Sequence, residues 1–146
     1  MTTHTFTKSE EKAHAITHGI GALLSLIALF ILIVYANNNI WHLLSATIFG
    51  LTMFFMYLTS TISHGLPSGK WKDLFQIFDH SCIYLFIAGS YTPILLIPLR
   101  GEIGWRLLGI VWGIAILGVI FKIFFVKRFL ILSTLFYVLM GWLIVI

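Results

Sequence analysis

The chain has 146 residues, of which 60% are hydrophobic and only 10% charged, and its mean hydropathy is +1.02. A soluble domain carries roughly 25% charged and 45–50% apolar residues. That gap excludes a water-soluble or disordered class and reads as an integral membrane protein. The net charge of +4 then points to anionic lipid at the inner leaflet, not to nucleic acid.

In lipid the backbone must satisfy its own hydrogen bonds, inside helices or a closed barrel. The apolar runs here are continuous and not alternating, so helices are expected. Cys82 is the single cysteine, which rules out a disulfide within one chain. Inside an apolar run it reads as a small buried packing residue. The first apolar run begins near Ala15 without an A-x-A-like cleavage site, and more runs follow. It reads as a retained span and not a removed signal peptide.

A span needs roughly 20 apolar residues, with a range of about 17–25. Five runs qualify, at roughly 15–35, 41–63, 78–99, 105–125 and 129–146. The chain is therefore expected to be one all-α transmembrane domain over 1–146, with no internal repeat. Its connections are short, which predicts antiparallel neighbours.

Ser9 is the expected N-cap of the first helix, with Lys12 where a capping box wants an acid. His14 and His18 stand four apart and share a helix face, with Glu11 one turn back. They read either as a polar helix end at the interface or as a polar cluster pointing into the bundle. Gly19 and Gly21 would let another helix come close. Asn37-Asn38-Asn39 forms an uncharged turn, and His42 beyond it is interfacial. The second helix stops at Gly65 and Pro67. The basic loop after it carries Lys70 and Lys72 against Asp73. Trp71, Phe75 and Phe78 are expected to lay a short amphipathic segment on the membrane surface.

Pro93, deep in the third run, should kink its helix and free a carbonyl near Gly89. Ser90 and Thr92 are expected to take up freed backbone groups. Gly101 and Gly104 mark the next turn. The fourth helix ends in Lys122 and the turn Lys127-Arg128, and Lys122 is expected to snorkel to the interface. The fifth runs to Ile146. With the N-terminus inside, the inner side holds Lys8, Lys12, Lys70, Lys72, Lys122, Lys127 and Arg128. The outer side holds only Arg100 and Arg106. Seven against two predicts a cytoplasmic N-terminus. His64 and Asp79 then lie at the same end of the membrane, on sequential helices.

An imidazole and a carboxylate at one depth suit a divalent cation such as zinc. Ser60, four residues before His64, lies on the same face one turn deeper and could hydrogen-bond a water or a substrate carbonyl. Glu11 and His18 could stand behind the ligands. The alternative is that Asp79 and His64 hydrogen-bond each other or reach headgroup water. One His and one Asp also fall short of the three protein ligands usual for catalytic zinc. His80 lies about 100° round the helix from Asp79 and would face elsewhere.

The motifs E-x-x-x-x-x-T-H-G-I-G at Glu11–Gly21, S-x-x-x-H at Ser60–His64 and F-D-H-S-x-I-Y-L-F-I-A-G-S-Y-T-P at Phe78–Pro93 resemble the bacterial hemolysin III family. G-W-x-L at Gly104–Leu107 also fits. That family is similar to the progestin and adipoQ receptors, which include the adiponectin receptors. The resemblance covers essentially the whole chain. It implies a bundle of seven helices, of which this chain would hold the first five, with a cytoplasmic N-terminus in the cell membrane.

The resemblance also implies zinc near the inner face, with His64 a ligand and Asp79 and Ser60 holding the water. By position and not by the resemblance, Glu11, His18 and, if it turns inward, His80 are expected behind them. The resemblance implies hydrolysis of a lipid amide or ester, because related receptors are thought to hydrolyse lipids such as ceramide. The family's other two ligands come from an H-x-x-x-H in the seventh helix, but no histidine follows His80 here. The chain is therefore expected to be a truncated frame or a piece of a longer gene, binding zinc weakly or not at all on its own. Two other functions compete: a cytolysin perturbing membranes, as the family name implies, and a non-catalytic regulator of membrane lipid state.

Overall fold

Thr7, not Ser9, opens the first helix. Its hydroxyl accepts the Glu10 backbone N–H, and the Glu10 carboxylate accepts the Thr7 N–H at 2.7 Å. That is a complete capping box, set two residues earlier than Ser9 because Glu10 supplies the acid that Lys12 could not. The computed structural model describes residues 6–125 and 130–143. Five helices follow in order: α1 Lys8–Ala36, α2 Ile40–Gly65, α3 Lys70–Leu96, α4 Glu102–Phe125 and α5 Leu130–Trp142. The chain is an all-α integral membrane bundle. By length and composition α1, α2 and α4 are able to cross a membrane, while α5 is shorter. Lys127, Arg128 and residues 144–146 lie outside the described residues.

The helix starts and stops follow local chemistry. Asn39 caps α2, its side-chain oxygen accepting the Trp41 N–H at 2.9 Å. Gly65 ends that helix, as expected. Gly69 then adopts φ +154°, a backbone conformation that residues with a Cβ rarely reach, and α3 begins at the next residue. The expected surface segment around Trp71 is thus the first turns of α3 itself. Pro93 lies inside α3. The Thr92 hydroxyl donates to Ala88 O and the Ser90 hydroxyl to Ile87 O. These carbonyls lie one and two residues before Gly89, and neither hydroxyl takes that of Gly89.

Lipid tails are as apolar as leucine, so helices associate here through close packing of small residues. Gly19 faces Thr61 and Leu29 faces Gly50, while a Cβ on Gly21 would lie 2.7 Å from the Tyr57 ring. Early residues of α1 therefore meet late residues of α2. Ala22, Ser25, Ser45 and Ala46 are buried along the same seam. The outer face of α1, with Leu23, Ile27, Phe30 and Val34, is exposed and suits lipid. A second centre joins α3, α4 and α5 around Tyr84, Ala88, Tyr91, Leu95, Val111, Ala115 and Met140. There the Tyr91 hydroxyl lies 2.9 Å from Met140 O and 2.8 Å from Gly141 O, tying α3 to α5. Trp112 Nε1 donates to Thr92 Oγ1 at 3.2 Å and ties α4 to α3. An apolar cavity of about 460 Å³ lies against Tyr84, Gly118, Phe121, Phe136 and Met140.

Lys122 departs from expectation. Its side chain does not snorkel; it is fully buried, and its ammonium has no hydrogen-bond partner among the described residues. The nearest compensation is the Tyr137 ring, whose centroid lies 5.9 Å from Nζ. Cys82 is buried, as expected.

Candidate functional site

The start of α1 and the end of α2 bring their polar side chains together. Glu11, His14 and His18 recur on one face of α1, because positions three and four apart are neighbours on a helix. Ser60 and His64 do the same on α2. The seam of small residues sets the two faces against each other, and the polar cluster points into the bundle.

His64 Nδ1 lies 2.8 Å from Glu11 Oε2, and Lys72 Nζ lies 3.0 Å from Glu11 Oε1. Lys72 also donates to the Ser63 and Leu66 carbonyls, at 3.0 and 3.3 Å. One carboxylate thus joins α1, α2 and the first turn of α3. Glu11 precedes the apolar run that begins near Ala15. Burial raises its carboxyl pKa, but the hydrogen bonds from His64 and Lys72, together with their charge, outweigh that and hold it below its ordinary value.

A carboxylate only accepts, so the proton on neutral His64 sits on Nδ1, and Nε2 keeps its lone pair. That is the arrangement of a metal-binding histidine backed by a carboxylate. By this observation His64 fits zinc. His18 Nδ1 lies 2.6 Å from Ser60 Oγ, so the Ser60 hydroxyl is engaged by His18. The His14 ring lies 4.9 Å from that of His64, and the His18 ring 6.0 Å from it, centroid to centroid. Phe6 covers both His14 and His64, at 5.0 and 5.8 Å. Tyr57 packs at 5.9 Å on His18.

Asp79 sits on α3 and is half-buried. It lies within electrostatic reach of His18, Cys82 and Tyr137. His80, its neighbour, turns away: Nδ1 donates to Gln76 O at 2.7 Å, and the His80 carbonyl accepts the Tyr137 hydroxyl at 2.9 Å. Among the described residues, no three His, Cys, Asp or Glu side chains already converge on one point. The sequence reading left two contributors out of the site. Lys72 was placed in a surface loop, because the early start of α3 depends on the backbone of Gly69. His14 was seen to share a face with His18, but that spacing alone does not show that His64 completes the group.

The haemolysin-III-related family profile matches residues 6–146. The chain belongs to that family. It is 55% identical over 143 residues to the Hemolysin-3 homolog of Bacillus subtilis (strain 168), covering 97% of this chain and 67% of that protein. It is 54% identical over 148 residues to Hemolysin-3 of Bacillus cereus, covering 100% of this chain and 68% of the other. A more distant similarity, 27% over 112 residues, is to the human monocyte to macrophage differentiation factor; it covers 73% of this chain and 47% of that one. No solved structure matches. Within this haemolysin-III-related chain, the Glu11–His64 pair joins two of the motifs that carried the resemblance, and Ser60–His18 joins them a second time.

Proposed function

We propose that the protein is a zinc-dependent hydrolase of membrane lipid amides or esters, with its site at the cytoplasmic end of the bundle. The observation that carries this reading is the His64–Glu11 contact, which turns the lone pair of His64 Nε2 away from the carboxylate. Zinc, when bound, supplies an acidified water as nucleophile and polarises the lipid carbonyl. The chain's own residues do the rest. His64 is the ligand this chain offers, and Glu11 fixes its tautomer. Asp79, half-buried on α3, receives and returns a proton at its carboxylate. Ser60 holds His18 in place and orients the polar wall against which the lipid carbonyl lies.

The basic residues of this end sort into two groups. Lys72 is engaged with Glu11, whereas Lys8, Lys12 and Lys70 are exposed. The exposed three would hold anionic lipid of the inner leaflet of the cell membrane, with the N-terminus cytoplasmic.

Membranes carrying the protein should release fatty acid from lipid amides or esters, and a zinc chelator or Asp79→Ala should abolish the release. Equal release from wild-type and Asp79→Ala membranes would overturn the assignment. The relatives' printed name, Hemolysin-3, favours a second reading as a cytolysin. Lysis of erythrocytes by cells expressing Asp79→Ala as strongly as wild type, without lipid hydrolysis, would support it.

A further inference from the structure

We propose that Lys122, Tyr84 and Ser81 form a carboxylate site inside the bundle. It holds the acid head of a long-chain fatty acid, whose chain lies in the apolar cavity bounded by α3, α4 and α5. The site stands apart from the hydrolase reading and does not depend on it.

The inference starts from donors left unmet. Among the described residues, four buried side-chain polar atoms have no hydrogen-bond partner, and three of them are Lys122 Nζ, Tyr84 Oη and Ser81 Oγ. Packing gathers these three. A Cβ on Gly104 would meet the Leu95 and Leu99 carbonyls, and one on Gly118 would meet the Tyr84 ring. Later turns of α4 thus lie against earlier turns of α3. Lys122, one turn beyond Gly118, comes level with the turn of α3 that holds Ser81. The Tyr137 ring closes the group, 4.4 Å from the Tyr84 ring and 5.9 Å from Lys122 Nζ. Its hydroxyl donates to the His80 carbonyl.

The chemistry of the three groups selects the ligand. An ammonium only donates, and each hydroxyl has a proton to give. A buried charge also needs a counter-charge, because a water accepts a hydrogen bond without neutralising the ion. The pocket therefore asks for an anion with several lone pairs. Space selects the rest of the molecule. Tyr84 and Gly118 also stand on the wall of the 460 Å³ cavity, with Phe121, Phe136, Leu139 and Met140. That wall suits an acyl chain, and the volume falls in the range of about 300–1,000 Å³ common for small-ligand sites. Lys122 is fully buried, which favours a compact carboxylate over a bulky phosphate head. The Asp79 and Ser81 side chains leave α3 about 200° apart, so the donors do not share the face that carries Asp79.

The test is titration of the purified full chain in detergent with palmitate carrying a carbon-13 carboxyl label. One equivalent should bind, with a carboxyl resonance distinct from that of micellar palmitate. Lys122→Met should weaken binding about 10–100-fold, the worth of a charge-assisted hydrogen bond. Tyr84→Phe and Ser81→Ala should each weaken it about two- to tenfold. Hexadecanol should not displace palmitate, and a lysophosphatidate of equal chain length should displace it less well than unlabelled palmitate. Wild-type circular dichroism is the criterion of fold. If Lys122→Met fails it, Tyr84→Phe decides, because it keeps the ring and loses a hydroxyl that has no partner. No stoichiometric binding, or wild-type affinity in folded Lys122→Met, overturns the proposal. Equal displacement by hexadecanol overturns it in favour of the chain alone, and stronger displacement by lysophosphatidate in favour of a lipid phosphate. Binding lost in Asp79→Ala but kept in Lys122→Met overturns it by moving the carboxylate to the zinc end. Lys122-dependent binding in a protein without hydrolysis keeps this site and removes the hydrolase.

Discussion

Glu11→Gln isolates the contact on which the site is built. The wild-type carboxylate takes His64 at 2.8 Å and Lys72 at 3.0 Å. Hydrogen bonds to charged groups contribute about 1.5–3 kcal/mol when well shielded, whereas fully exposed ion pairs contribute about 0.2–1 kcal/mol. Glu11 is 23% exposed and His64 16%, so each bond falls between these limits. Lys72 keeps the Ser63 and Leu66 carbonyls after the change, and the amide of Gln still offers one oxygen. The net loss is therefore about 1–2 kcal/mol. Metal affinity at His64 should fall about 10–100-fold, the usual effect of removing a partner behind a metal-binding histidine.

Melting in detergent, read by size-exclusion recovery, measures the first effect, and cobalt titration measures the second. A double-mutant cycle of Glu11→Gln with His64→Gln should return a coupling of about 1 kcal/mol, within the range seen for residues in one hydrogen-bonded network. Additive single effects, with unchanged cobalt affinity in Glu11→Gln, would refute the claim that Glu11 orients His64.

Gly118 and Gly113 lie on the same helix and separate packing from propensity. A Cβ at Gly118 would lie 2.5 Å from the Tyr84 ring, and Tyr137 at 4.4 Å hinders Tyr84 from retreating; Gly118→Ala should cost about 1–3 kcal/mol. Gly113→Ala meets nothing within 4 Å and should leave the melting temperature unchanged or raised, by at most about 1 kcal/mol of helix propensity. Lys122→Met removes a fully buried amine that has no hydrogen-bond partner among the described residues and should stabilise the protein by about 1–3 kcal/mol in the same melting assay. A fall in stability would show that Lys122 holds a partner in the membrane.

Much of the fold was legible because lipid leaves the backbone few options. The apolar runs located the helices, Asn39 and Gly65 marked two ends, and Gly21 marked a close approach that Tyr57 fills. What escaped depended on contacts between distant residues or on backbone angles. Thr7 displaced Ser9 as cap because Glu10 answers it from N3. Lys70–Phe78 became helix and not surface segment because Gly69 turns the chain at a positive φ. Lys122 near a helix end reads as a snorkelling residue in one dimension; only the packing of α4 against Tyr137 shows that the side chain points inward. The site divides in the same way. His14 and His18 at i, i+4 were visible on one helix, but their meeting with His64 rests on the α1–α2 seam.

Hydroxyl groups in these helices mostly solve the problem of burial alone. Thr17, Thr52, Thr59, Thr61 and Thr92 each donate to the carbonyl four residues back on their own helix. A hydroxyl satisfied in that way carries no information about its neighbours. Imidazoles and carboxylates have a second nitrogen or oxygen that one helix rarely satisfies, so they draw partners across helices. Hence the cross-helix polar contacts of α1 and α2 gather where Glu11, His18 and His64 stand. Ser60 breaks the habit of the hydroxyls. Flanked by Thr59 and Thr61, which both bond their own helix, it reaches across to His18 at 2.6 Å. A hydroxyl that trades a local carbonyl for a distant imidazole ties the His18 ring of α1 to α2.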